Sequence, residues 1–211
     1  MTTLAITPAE LAASIVSEVG GSESQVDMMI GIGLVKDSEA VYFQYLGDEQ
    51  TPAALMMPSG KPCTRMANIR VTGLTVAEGI GEFNSTKLNL FIESSAGRTL
   101  MLTSGLNTIW SQCVITAIMG VYDSGDITAP INLDTWKGTS KMKPCFAAVR
   151  QGGVKMSDQA MYDQLRDLRA ERATDKLLAA MKDAVELLNA TVTGGLVEEA
   201  TVSVEVTTPE F

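Results

Sequence analysis

Residues Ser85–Thr103 read STKLNLFIESSAGRTLMLT, and this stretch decides how the rest of the chain is parsed. Leu88, Leu90 and Ile92 alternate with Asn89, Phe91 and Glu93, the two-residue period of a half-buried strand. Ser95-Ala96-Gly97 then reverses the chain, and Arg98–Thr103 returns as a second strand, so a hairpin is the economical reading.

Upstream, Met66–Val76 reads as a strand in which Gly73 permits a bulge or sharp bend. Downstream, Gly105 closes the hairpin and Asn107 or Thr108 caps a segment, TIWSQCVITAIMGVY. Its Trp110, Val114, Ile118 and Val121 recur at helical spacing, while Ile115 and Met119 widen the apolar stripe. The β-branched content of this segment also suits a strand. Asp123-Ser124-Gly125-Asp126 ends it, and Ile131–Trp136 and Cys145–Arg150 follow as two more strands. The order strand, strand, strand, helix, strand, strand is that of a five-stranded Greek-key OB barrel. The expected fold is therefore α+β, mainly β, with an OB-like barrel over residues 61–156.

Two attachments flank that barrel. In residues 1–60, Thr7, Pro8 and Glu10 open a helix whose Leu11, Ile15, Val16 and Val19 share a face. Met28–Val35 and Val41–Leu46 then suggest a hairpin, and Thr51–Pro62, with three prolines, a linker. In residues 157–211, Ser157 caps a helical segment from Asp158 to about Asn189. Its two apolar sets fall out of phase across Arg169–Asp175, which implies a bend, an exposed middle or two helices. After Gly194-Gly195, Val202, Val204 and Val206 alternate as in a strand.

Composition excludes several chemistries. The 211 residues contain no histidine, which removes a His-dependent triad and the commonest zinc ligand. Cys63, Cys113 and Cys145 are odd in number and widely spaced, so free thiols are expected. Gly31-Ile32-Gly33 lacks the third glycine of a dinucleotide fingerprint, and no phosphate-binding GxxxxGK[ST] occurs, so a packing or hairpin role is expected for the glycines. Asp123, Asp126 and Asp134 are read as turn and strand residues in preference to metal ligands. The expectation is a protein that is not an enzyme and carries no cofactor or metal. With no apolar run of membrane-spanning length and no signal-peptide pattern, it is expected to be soluble and cytoplasmic, in the host cytoplasm if viral.

Charge is divided unevenly along the chain. The total is −9, but residues 1–60 carry −7, residues 61–155 carry +4 and residues 156–211 carry −6. A basic middle between acidic flanks suits a polyanion-binding core. Within it, Ile131–Lys155, INLDTWKGTSKMKPCFAAVRQGGVK, has no acid from Trp136 onward. Strand parity puts Ile131, Leu133 and Thr135 on one face and Trp136 on the other. Likewise Cys145, Ala147 and Val149 oppose Phe146 and Arg150, and Phe91 falls with Asn89 and Glu93. Aromatics on the polar parity beside Lys137, Lys141, Lys143, Arg150 and Lys155, with Arg98 on the neighbouring hairpin, compose a stacking platform in a basic groove.

On these residues the module from about Lys61 to Lys155 resembles the OB-fold single-stranded DNA-binding proteins of bacteria and bacteriophages. The resemblance implies binding of single-stranded DNA in replication or recombination. It also implies an acidic C-terminal tail ending in phenylalanine that docks onto partner proteins. Glu205, Glu210 and Phe211 stand at the corresponding positions, although only four acids occupy the last 14 residues. A homo-oligomer is expected. The rival reading is a virion or other structural assembly protein, whose Met-rich apolar faces and edge strands would pack against neighbouring subunits.

Overall fold

The computed structural model describes residues 26–35, 38–46, 51–81 and 83–202, with residue 46 and residues 195–202 described by backbone alone. Their strands are β1 (Met28–Ile32), β2 (Tyr42–Leu46), β3 (Thr51–Ala54), β4 (Arg65–Ile80), β5 (Ser85–Glu93), β6 (Thr99–Gly105), β7 (Ile131–Lys137), β8 (Cys145–Gln151) and β9 (Val154–Met156). The helices are α1 (Ile109–Ser124), α2 (Gln159–Ala170) and α3 (Thr174–Val202). The strands form one mixed sheet in the order β3-β2-β1-β6-β5-β4-β7-β8-β9.

Nine strands in an open sheet stand where five in a closed barrel were expected. The difference lies at the edges. The outer edge of β6 offers unpaired N–H and C=O groups, and β1 satisfies them in parallel, Met28 opposite Leu100 through Gly31 opposite Thr103. Antiparallel β2 and β3 extend the sheet further. Thr51–Ala54, expected as linker, is thus an edge strand, where Pro52 costs no ladder bond on its solvent side. Gly31 has a packing role: a Cβ there would overlap the ring of Phe43, its partner across β1–β2.

The sheet is strongly coiled, and β4 is the cause. Its C-terminal part pairs with β5 and its N-terminal part with β7, with register shifts at Met66/Ile69, Val71/Gly73 and Ala77/Ile80. Each extra residue bends the strand and increases its twist. The expected bulge at Gly73 is one of these. At another, Asn68 takes a φ of 52°, and its N–H donates to Asn132 Oδ1 at 3.0 Å. The coiling brings β2 and β7, five places apart in the sheet, within side-chain contact: Tyr42 Oη donates to Thr135 Oγ1 at 2.7 Å.

The helices pack against one another and against β4 and β8. Thr108 caps α1 by accepting from the Ser111 N–H, and the helix buries Trp110, Val114, Ile115 and Ile118 almost completely. Complete burial on most sides explains why a β-branched segment is helical: tertiary packing outweighs propensity. Asp158, rather than Ser157, caps α2, accepting from the Met161 N–H at 3.0 Å. Of the three expectations for Arg169–Asp175, two helices is what forms, with Arg172 at φ 57° in the break. The second helix continues through Gly194-Gly195 to Val202, so no break forms there, and Leu196, Glu198, Glu199 and Ala200 beyond the glycines favour helix. Ile30, Tyr42, Leu90, Trp110, Val149, Met181 and Leu188 belong to one hydrophobic cluster, so residues from all three sequence segments share a core. The N-terminal helix read at Thr7–Gly21 and the strand-like tail beyond Val202 lie outside the described residues.

Candidate nucleic-acid interface

Antiparallel pairing of β7 with β8 sets Trp136 opposite Phe146. Ile131, Leu133, Thr135, Ala147 and Val149 are buried, and alternation turns Trp136 and Phe146 to the other face of the strands. Their ring centroids lie 6.0 Å apart with 15° between planes, an offset stack. Trp136 is 44% exposed. Gly138 is what lets the Phe146 ring lie down: a Cβ there would come within 2.7 Å of Phe146 Cε2.

Cations surround the stack. Arg150 Nε and Arg65 Nε each lie 3.5 Å from a different oxygen of Asp134, two arginines sharing one carboxylate. Lys155 stands opposite Arg150 across β8–β9 and is exposed. The β7–β8 loop carries exposed Lys141 and Lys143 on either side of Met142, which is 81% exposed. Ion pairs this open to water contribute little to stability, so their positions are better understood as a charged surface than as a clamp on the fold. Two participants were absent from the sequence reading. Arg65 enters only through the β4–β7 register, which sets it opposite Asp134. Tyr162 of α2 lines a cleft beside the stack together with Lys155. No local pattern near either residue signals these placements.

Three residues read from the sequence stand elsewhere. Lys137 has the core-facing parity of Thr135; its side chain is 10% exposed, its Nζ donates to the Ser38 carbonyl at 2.6 Å, and Glu39 lies 4.0 Å away. It ties the β1–β2 loop to β7 and presents no charge beside Trp136. Phe91 does not stand on an open face: it lies opposite Gly73 and Met101, Met101 and Asn89 are buried, and a Cβ at Gly73 would lie 3.4 Å from Asn189 of α3 as well as against the Phe91 ring. Gly73 is eight positions along β4 from Arg65, on the order of 26 Å at the strand rise. Arg98 is exposed on the β5–β6 turn, with β4 standing between β5 and β7. Glu205, Glu210 and Phe211 lie outside the described residues.

The thiols nearby are quiet. Burial pushes the Cys113, Cys145 and Cys63 thiols above the ordinary cysteine value, which disfavours the thiolate needed for nucleophilic attack or metal ligation. Among the described residues no cluster of three or more cysteine, aspartate or glutamate side chains is placed to hold a metal ion, and no helix is long and apolar enough to cross a membrane. What the arrangement offers chemically is a flat aromatic surface bordered by cations. Comparison with family models, with curated proteins and with solved structures finds no match, so the chemistry of this face carries the functional argument.

Proposed function

We propose that the chain binds single-stranded DNA, without strong base preference, through the face of β7, β8 and β9 that carries Trp136 and Phe146. The observation that carries this reading is the Trp136–Phe146 stack, exposed at Trp136, on strands and a loop that also carry the exposed Lys141, Lys143, Arg150 and Lys155, in a protein of net charge −9. Bases have π faces whatever their identity, so an aromatic platform holds them tolerantly, and lysine and arginine follow the phosphates. An OB-like ancestry of the central strands is consistent with the order β4, β5, β6, α1, β7, β8 and with the coil that brings β2 beside β7. A role in replication or recombination, with partners docking at the C-terminal residues, belongs to the same proposal.

Titration of fluorescent oligothymidylate at several salt concentrations tests it. Four phosphate contacts predict a log–log slope of about −3, at roughly −0.7 per contact. Absence of binding at low salt removes the proposal. A second reading, a subunit of a structural assembly, is favoured by Phe83, 90% exposed on the β4–β5 turn, and by exposed Met56 and Met57. A large particle in light scattering that ignores DNA would select it.

A further inference from the structure

β9 pairs with β8 only from Val149 to Gln151, so at Ala147 and Ala148 no strand pairs with β8 on that side, and Cys113 of α1 stands beside Ala147. Two alanines in succession also withdraw bulk from this place. The result is a cleft of about 220 Å³ whose lining includes Trp136, Phe146, Tyr162, Cys113 and Lys155. Tyr162 stands in the capped first turn of α2, where its backbone N–H donates to the Asp158 carbonyl at 3.0 Å.

Beyond Lys155 lies a second cleft of about 270 Å³, lined by Ser124, Gln151 and Val154 and sharing Lys155, Met156 and Ser157 with the first. Among the described residues no carboxylate lines either cleft, although the chain has 25 acidic residues. A volume near 220 Å³ falls below the range that holds a drug-sized ligand and suits one planar ring system. Three aromatic rings in one lining recognise a flat π surface, and the Lys155 ammonium recognises a phosphate.

We infer that this cleft takes one unstacked nucleobase of the bound strand, inserted between the Trp136–Phe146 pair and Tyr162, while Lys155 meets the adjoining phosphate. The inference rests on the single-strand reading above and adds a position to it. One nucleotide of each binding site leaves the continuous stack and enters the protein, and the strand then passes over Lys155 toward the second cleft.

The test uses the full chain and a six-nucleotide oligothymidylate, with each thymine replaced in turn by an abasic residue. For the wild type, one position is expected to be most sensitive, losing about tenfold or more in affinity, the magnitude of one stacked base. Ala148→Leu fills the cleft while leaving every charge and the Trp136–Phe146 pair in place. It is expected to weaken the intact oligonucleotide about tenfold, to abolish the extra sensitivity at that position and to keep the wild-type salt slope. Tyr162→Ala, on a half-exposed helix position, removes one wall and supplies an independent variant should leucine disturb folding, as judged by circular dichroism. Wild-type affinity in both folded variants, or equal sensitivity at all six positions, would overturn the cleft while leaving the single-strand reading intact. Failure of the wild type to bind any oligothymidylate at low salt would overturn both.

Discussion

Tyr42 Oη donates to Thr135 Oγ1 at 2.7 Å, joining strands that are five places apart in the sheet, and the same oxygen accepts from Trp110 Nε1 at 3.1 Å. All three residues are essentially buried. One threonine hydroxyl thus answers the two polar hydrogens of the largest side chains in the core. Replacing it strands both donors, whereas removing either donor leaves the other bond in place. Thr135→Val is expected to cost about 3 kcal/mol and Tyr42→Phe about 1 kcal/mol in urea unfolding. Equal effects would mean that the threonine is not the shared acceptor.

Burial raises the pKa of Tyr42 and, separately, those of the Cys63, Cys113 and Cys145 thiols. The native state therefore keeps protons that the unfolded chain releases, so stability is complete below the ordinary thiol and phenol values and falls as pH rises through and beyond them. Unfolding free energy measured by urea from pH 7 to pH 11 is expected to decline, and the decline near the top of that range is expected to shrink in Tyr42→Phe. A flat profile would contradict the burial of these groups.

Trp136 is exposed and stacked, so its truncation separates binding from folding. Trp136→Ala is expected to reduce oligothymidylate affinity by about 1–3 kcal/mol, with little change in urea midpoint. Loss of stability without loss of affinity would make the pair structural.

Asp134 holds Arg65 and Arg150 at 3.5 Å each and neutralises part of their charge. Asp134→Asn is expected to tighten single-strand binding and to make the salt slope more negative by about 0.7, one further phosphate contact. Weaker binding would show instead that the carboxylate positions the arginines for their contacts.

The lysines divide by direction. Lys141→Ala and Lys143→Ala are each expected to flatten the salt slope by about 0.7. Lys137→Ala is expected to leave the slope unchanged and to cost about 1 kcal/mol of stability, because its Nζ bonds the Ser38 carbonyl. Isothermal titration and urea unfolding on the same three variants distinguish these outcomes.

Periodicity alone determined a good deal. The β5–β6 hairpin, the helix capped at Thr108, the bulge at Gly73 and the outward parity of Trp136 and Phe146 follow from local alternation, spacing and turn chemistry, which act within a few residues. Parity also warned about Lys137, which follows Trp136 on the opposite face, but a lysine at a strand end reads as solvent-facing until its partner is known. That partner, the carbonyl of Ser38, is 99 residues away. The tertiary structure alone decided three matters: that β1 pairs in parallel with β6, that Arg65 meets Asp134, and that α2 closes a cleft over Ala148. Each is set by register or packing between segments distant in sequence. Backbone hydrogen-bonding groups are identical at every residue, so a strand's own sequence specifies which side it buries far better than which neighbour it takes.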